Sequence, residues 1–190
     1  MAYNLNTIDA KQFGLGPGTI LVGPYNPAAA GGTPTVSVGA VSGQASLNPT
    51  RTVVPVMQGI PAREIDSFVT EEKLDVVFTG IQWNLAMIYR ALGGGTLPTT
   101  SGAVTTYNFG GEMLMTDLAL QFQHRLPNGS TVLLNVWQCR GNGAVPISIP
   151  ADNIHQHSYT FTAVAGLSNW VNGALAAGAD LWQMVYTAAP

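Results

Sequence analysis

Two alternating segments joined by an Asn-Gly turn are the feature that most restricts the fold of this chain. Residues 113–126 read MLMTDLALQFQHRL, and residues 130–141 read STVLLNVWQCRG. Apolar side chains recur at every second position, the period of a strand with one buried face. Pro127-Asn128-Gly129 separates the segments, and Asn-Gly suits the positive φ angles of a tight hairpin turn. The sequence therefore predicts an antiparallel hairpin whose buried face includes Leu114, Leu118, Leu120, Phe122, Val132, Leu134 and Val136.

Other segments show the same alternation. Residues 70–79, TEEKLDVVFT, place Leu74, Val76 and Phe78 on one face, and residues 155–166 do the same with His157, Tyr159 and Phe161. The β-branched run at 19–22 also predicts a strand. These patterns predict a mainly-β chain, an antiparallel β-sandwich or barrel.

One segment has the period of a helix instead. IQWNLAMIYRALGGG, residues 81–95, spaces Leu85, Ile88, Tyr89 and Leu92 at i, i+3, i+4 and i+7. The glycines from Gly93 onward are a helix stop signal. We therefore expect one α-helix at 81–93, flanking the sheet.

Three apolar segments extend beyond this core, so that residues 1–190 form a single domain with long arms. They are an N-terminal arm at 1–19, a proline-containing excursion at 45–69 that reads as an irregular loop, and a C-terminal arm at 166–190. A lone sandwich would leave their apolar side chains exposed, although disorder is an alternative interpretation of the termini. We expect these segments to contact other subunits through Phe13, Leu15, Val54, Met57, Ile60, Trp170 and Trp182.

The glycines in FGLGPGTILVGP, residues 13–24, do not predict a phosphate-binding loop. Such a loop follows a strand and opens a helix, whose N-terminus binds the phosphate. Here Gly14, Gly16 and Gly18 precede a predicted strand. They therefore belong to the N-terminal arm.

Charged residues are scarce. Only 9% of the 190 residues are charged, with 7 Lys and Arg against 10 Asp and Glu, whereas 46% are hydrophobic. Soluble domains average about 25% charged residues. A chain largely covered by copies of itself has less need of surface charge, because buried charges must be paired; a neutral-surfaced monomeric β protein is the alternative.

The same composition argues against several classes of protein. No cluster of Lys and Arg is present for binding nucleic-acid phosphates. No apolar run reaches the roughly 20 residues of a membrane-spanning helix. The first residues lack the features of a signal peptide, so we expect synthesis in a cytoplasm.

No group of residues predicts catalysis. His155 and His157 lie two positions apart and would share a strand face, but a zinc site needs at least a third ligand. Cys139 would lie mid-strand, with His124 on the partner strand of the hairpin. Glu71 and Glu72 would point to opposite faces, which argues against an acid-base pair. We therefore expect neither an enzyme nor a cofactor or metal site.

The order of the segments supplies a further indication. After the glycine-rich arm come a strand ending in Gly-Pro, the excursion, EEKLDVVFTG followed by IQWNLAMIYRALGGG, a Thr- and Gly-rich loop, the Asn-Gly hairpin and a final strand. This layout resembles the major tail tube proteins of long-tailed bacteriophages over most of the chain. The similarity is clearest at residues 71–95, where Phe78-Thr79-Gly80 ends a strand and Leu92-Gly93 closes the helix.

The resemblance implies a function in the virion. Tail tube proteins form rings of six that stack into a hollow tube, with each subunit contributing strands to an inner barrel. The implied partners are other copies of the chain, a tape-measure protein, a tail terminator and distal tail or baseplate proteins, while DNA passes through without specific binding. The protein would be made in the host bacterial cytoplasm. A mildly acidic lumen would repel DNA, and the candidate lumen residues are Glu71, Asp75, Asp117, Gln121 and Gln123; a simple solvated face is the alternative.

Other functions remain open at this stage. One is another β-sandwich virion component, such as a capsid decoration or head–tail joining protein. A carbohydrate-binding module is a second, with Trp137 and Trp170 as exposed platforms. A small hydrolase is a third, which the lack of an acid-base pair disfavours.

Overall fold

The hairpin predicted around Asn128-Gly129 lies at the centre of an antiparallel sheet. The computed structural model describes residues 18–26, 34–94, 97–110, 115–170, 173–175, 178 and 180–189. Its elements are β1 (Thr19–Pro24), β2 (Val36–Ser37), β3 (Val41–Gln58), β4 (Arg63–Gly80), α1 (Leu85–Ala91), β5 (Thr99–Ser101), β6 (Val104–Thr106), β7 (Leu118–Arg125), β8 (Thr131–Gly141), β9 (Ile147–Ser148), β10 (Gln156–Val164) and β11 (Trp182–Thr187).

The main sheet has the strand order β2-β1-β7-β8-β10-β4-β3, and every neighbouring pair is antiparallel. β11 adds to the edge of β8, and β9 adds to β10. β5 and β6 form a separate two-stranded sheet. Within the described ranges the protein is therefore mainly β and antiparallel with one helix, as the sequence predicts.

The alternating patterns correctly predict which faces form the core. Leu74, Val76 and Phe78 are buried in β4, as are Tyr159 and Phe161 in β10. The hairpin contributes Leu118, Leu120, Leu134 and Val136, with Phe122 and the helix packed against the same cluster. Leu114 lies outside the described residues. The core therefore sits between the inner face of the sheet and α1.

A β-bulge in β8 separates two apolar clusters. Leu120 pairs with Val136, but Leu118 pairs with Cys139, so β8 has one more residue than β7 between these pairs. The extra residue turns Cys139 into the main core and leaves Trp137 in a second cluster with Ala119. The opposite, outer face of the sheet is thus partly apolar at this end of the hairpin.

The helix begins four residues later than predicted. It spans Leu85–Ala91 instead of 81–93, because the side chain of Asn84 accepts a hydrogen bond from the Met87 amide at 3.2 Å and caps the first turn. Gly93 adopts a φ of 83° just beyond the other end. The buried side chains are Met87, Ile88 and Ala91, whereas Leu85 and Leu92 are only partly buried.

The prediction of an irregular loop at 45–69 is wrong. These residues belong to β3 and β4 and to the turn between them. The pairing of the two strands begins with Val41 opposite Gly80 and ends with Gln58 opposite Arg63, and its register is irregular at three points. β3 is an edge strand, so Pro49 and Pro55 do not have to donate to a neighbour on its free side. We call residues 51–72 of this hairpin the ribbon; all of them are exposed except Val56, which is half-buried.

Part of the C-terminal segment at 166–190, which the sequence predicts to be an arm or a final strand, is a strand that joins the sheet. Residues Trp182–Thr187 form β11, which pairs with Thr131–Val136 of β8. β10 pairs only with Gln138–Gly141 of the same edge, so β11 occupies the part that would otherwise lack a partner. Of the N-terminal arm, residues 1–17 lie outside the described residues, and Thr19 already belongs to β1.

Candidate assembly surface

The ribbon has the largest concentration of exposed apolar side chains that one element of the described chain presents. Ile60 at its turn is fully exposed, and the side chains that flank it are about half exposed or more. They are Val53 (52%), Val54 (48%), Met57 (53%), Ile65 (59%), Phe68 (59%) and Val69 (50%). Exposed apolar groups of this extent mark interaction surfaces in soluble proteins.

The register shows that both faces of the ribbon are apolar. Val54 lies opposite Phe68, and Val53 lies opposite Val69. Residues directly opposite one another share a face and successive residues alternate, so these two pairs lie on opposite faces. A single covering layer would therefore bury only half of the apolar surface.

Little within the chain itself holds the ribbon. At its base Arg51 and Glu72 form an ion pair at 2.7 Å, but both side chains are largely exposed, and such pairs contribute little stability. Thr52 donates a hydrogen bond to Glu71 at 3.4 Å. Isolated two-stranded hairpins are marginally stable in water, and the contacts above add little to the pairing of the ribbon strands.

The structure divides the residues predicted to contact other subunits. Val54, Met57 and Ile60 are exposed on the ribbon, where such a contact is open to them. Phe13 and Leu15 lie outside the described residues.

The two tryptophans of this set have partners within their own chain. Trp170 is only 7% exposed and packs edge-on against Trp137, with 4.7 Å between ring centroids. Trp182 is partly buried against the main core. Trp170 is therefore wrong as an exposed contact residue, because the C-terminal segment folds back onto the outer face of the sheet. Trp137, at 2% exposure, is likewise wrong as an exposed carbohydrate platform.

Two candidate lumen residues, Asp75 and Asp117, belong to one polar row across the outer face. Arg140 of β8 pairs with Thr162 of β10, and Thr162 pairs with Asp75 of β4. Asp117, just before β7, forms an ion pair with Arg140. Lys73 forms an ion pair with Asp75 at 2.8 Å, and the Thr162 hydroxyl donates to the same carboxylate at 2.7 Å. The row thus crosses β10 between β8 and β4, and it ends at Asp117, just before β7.

These contacts neutralise the carboxylates. The hydrogen bond from Arg140 holds the pKa of Asp117 below its ordinary value. Burial raises the pKa of Asp75, but hydrogen bonds from Lys73 and Thr162 outweigh this effect, so the pKa is lowered overall. Both groups stay ionised beside a cation at neutral pH. The charges of this row are therefore balanced, and the row is polar but close to neutral.

The other candidate lumen residues differ from one another. Gln121 is 6% exposed and donates a hydrogen bond to Asn135 at 2.8 Å, and Gln123 donates to Gln121. Gln121 is thus wrong as a solvated side chain, because amides on neighbouring strands bind each other. Glu71 lies on the ribbon, where it pairs with Thr52.

The described residues contain no arrangement typical of an active site. The rings of His155 and His157 are 5.3 Å apart beside Trp83, but no group of three metal-ligating side chains exists in the described ranges. Burial raises the pKa of Cys139 to about 12, which disfavours a nucleophilic thiolate. Cys139 pairs with Leu118 and His124 with Val132, so the two lie at opposite ends of the hairpin.

Comparisons with known proteins do not place the chain in a family: no family model matches it, and no curated protein is significantly similar to it. None of the helical residues described forms a helix long and apolar enough to cross a membrane. Function must therefore be argued from the surfaces of the molecule itself.

Four exposed ribbon residues, Val53, Ile65, Phe68 and Val69, lie outside the set that the sequence predicts as contacts. They are identified by the antiparallel pairing of residues 51–58, RTVVPVMQ, with residues 63–70, REIDSFVT. Each segment alone reads as a mixture of apolar and charged residues. Only the antiparallel register places Phe68 beside Val54.

Proposed function

We propose that this chain is a structural virion protein that assembles into hexameric rings, stacked as the hollow tail tube of a long-tailed bacteriophage. The observation that carries the proposal is the ribbon, a long hairpin with exposed apolar side chains on both faces. A surface of this kind is expected in a subunit that neighbouring subunits enclose on more than one side.

The scarcity of charge supports the same proposal. With only 9% charged residues, the chain has few groups that would have to be paired or desolvated when neighbours cover its surface. The three ion pairs of the described residues all join strands of the same chain or neighbouring positions on one strand. We attribute assembly mainly to the apolar side chains exposed on the ribbon.

The outer polar face suits a wall along which DNA moves. Each phosphate contact made by Lys or Arg strengthens nucleic-acid binding and makes it salt-dependent. On this face Arg140 and Lys73 are already bound to carboxylates, and Thr162 donates its hydroxyl to Asp75. A lumen lined in this way would neither hold the phosphates nor require a strongly acidic surface.

Sedimentation velocity over a range of protein concentrations tests the proposal. Tail-tube assembly predicts particles whose mass is a multiple of a six-subunit ring and which grow without limit as concentration rises. A single small closed oligomer at all concentrations would instead support a capsid decoration or head–tail joining protein. A monomer throughout would contradict the proposed self-assembly.

A carbohydrate-binding module has less support. Its platform would require exposed aromatic rings, and Trp137 and Trp170 are buried against each other. No observation on the described residues favours it over assembly.

A further inference from the structure

Two histidines and a tryptophan pack together where β4 leads into α1. His155 lies just before β10 and His157 lies within it, and their ring centroids are 5.3 Å apart. The ring centroid of Trp83 lies 5.2 Å from that of His155 and 4.4 Å from that of His157. We call these three side chains the histidine cluster. Trp83 is half exposed and His157 is fully buried, so the indole is the solvent-facing member of the cluster.

The buried ring nitrogens of this cluster have no hydrogen-bond partner among the described residues. They are Nδ1 and Nε2 of His157 and Nε2 of His155. A neutral imidazole has one donor and one acceptor, and burying such groups without partners is unfavourable. The ion pairs of the described residues involve no histidine, and Asp152, three residues before His155, is exposed. A proton added to His157 would therefore create a charge with neither water nor a carboxylate beside it.

The ionisable groups on the elements next to His157, β10 and α1, are imidazole, phenol and guanidinium groups. They are His155, Tyr159, Tyr89 and Arg90. β9 and residues 81–84 carry no ionisable side chain. The carboxylate of β4 nearest to this end is Asp75, but it lies opposite Thr162, five residues further along β10, and binds Lys73. No group on these elements is therefore placed to neutralise an imidazolium.

The surroundings make protonation of His157 unfavourable in the folded chain. Burial lowers the pKa of His157 below its ordinary value, and the charge of His155 lowers it further. The unfolded chain then binds more protons than the folded chain once pH falls below the ordinary His pKa of about 6.5. The stability that depends on neutral His157 is thus fully present above this pH and is lost as pH falls towards the folded-state pKa.

The Trp83 ring is the part of the cluster that is held least firmly. At His157, β10 is paired with β4 on one side and with β9 on the other. Just before Trp83, the Ile81 amide donates to the Ala40 carbonyl at 3.0 Å, and the Ala40 amide donates to the Gln82 side chain at 3.3 Å. The indole itself packs on the two imidazoles. Moving it aside would admit water to His157 without breaking the pairing of the strands.

We propose that the histidine cluster is an acid-sensitive switch, in which protonation of His157 releases Trp83 and opens the connection between β4 and α1. Once the indole has moved, water solvates the new charge and screens it from His155. The sheet stays paired, because the moving part is the segment before α1 and not a strand. The switch belongs to the single folded chain, so it does not depend on the proposed self-assembly.

Tryptophan fluorescence of the dilute, unassembled chain tests the switch. The signal of Trp83 is the difference between the wild type and Trp83→Phe, and its quenching by acrylamide is measured from neutral to acidic pH. Acrylamide quenching should roughly double on acidification, because the side chain is 51% exposed before it is released. The midpoint should lie below the ordinary His pKa of about 6.5, and far-ultraviolet circular dichroism of the sheet should not change across it.

Three histidine variants assign the transition. His157→Phe keeps an aromatic ring beside Tyr159 and should abolish the transition. His124→Gln is the matched control, because this histidine lies on β7 against Phe122, outside the cluster, and it should behave as the wild type. His155→Gln removes the neighbouring charge and should move the midpoint to higher pH. This last variant keeps the test decisive if His157→Phe does not fold.

Several results would overturn the proposal. One is a transition that persists in His157→Phe, and another is an unchanged midpoint in His155→Gln. A loss of the circular dichroism of the sheet at the same midpoint would show that acid unfolds the whole chain. A change in Trp83 emission without greater acrylamide quenching would show that His157 is protonated while the cluster stays closed.

Discussion

Replacing Val54 and Phe68 together by Thr should weaken assembly without unfolding the chain. The two side chains face each other on the ribbon and are 48% and 59% exposed. Full burial of a Val or Phe side chain contributes about 1.5–3 kcal/mol, so burying the exposed half of both contributes about 1.5–3 kcal/mol per contact. Each 1.4 kcal/mol changes an equilibrium constant tenfold, and we expect the critical concentration for assembly to rise roughly 10- to 100-fold.

Thr is β-branched and is favoured in strands, so the thermal midpoint of the dilute, unassembled variant should stay close to that of the wild type. The assay is pelleting at a series of protein concentrations, with soluble protein measured after each spin. Val104→Thr is the matched control, because Val104 is 64% exposed on the separate β5–β6 hairpin. An unchanged critical concentration in the double variant would refute the assignment of the ribbon as the assembly surface.

Three further predictions concern the chain itself. Trp170→Ala should lower the free energy of unfolding of the monomer by about 3–5 kcal/mol in urea titrations, because it removes a buried ring packed on Trp137. A variant that assembles less but unfolds like the wild type would contradict this prediction. The hydrogen bond from Arg140 lowers the pKa of Asp117. The contribution of Asp117 to stability is therefore present above the ordinary Asp pKa of about 3.9 and is lost as pH falls through the folded-state pKa. The free energies of unfolding of wild type and Asp117→Asn should converge in acid, and a constant difference down to the lowest pH would disprove this. Cys139, with its pKa raised to about 12, should react with a thiol reagent only after denaturant is added, and rapid labelling of the native chain would show that the site is open.

The strands of the core could be predicted because their alternation reflects burial on one face. Leu74, Val76 and Phe78 in β4 and the inward residues of the β7–β8 hairpin follow this rule directly. The ribbon could not be predicted in the same way, since neither of its faces is buried by its own chain. Pro55 and Pro61 predict a loop, because the sequence does not show that β3 lies at an edge or that Pro61 lies in a hairpin turn.

The candidate site depends on contacts between residues far apart in the sequence, which explains the remaining errors. Gln121 alternates as if solvated, yet Asn135 on the neighbouring strand binds it. Trp170 lies in a nearly uncharged segment for which the sequence shows no partner. The bulge in β8 places Trp137 in the second apolar cluster, where Trp170 packs against it. The start of α1 differs from the predicted one for a local reason, which is that the side chain of Asn84 caps the first turn.

Negative-stain electron microscopy of the purified wild-type chain over a range of concentrations tests the central claim most directly. The account predicts stacked rings or hollow tubes with a continuous central channel, lengthening as concentration rises. Closed particles without a through-channel would contradict it. Monomers that persist at the highest protein concentrations would contradict it as well.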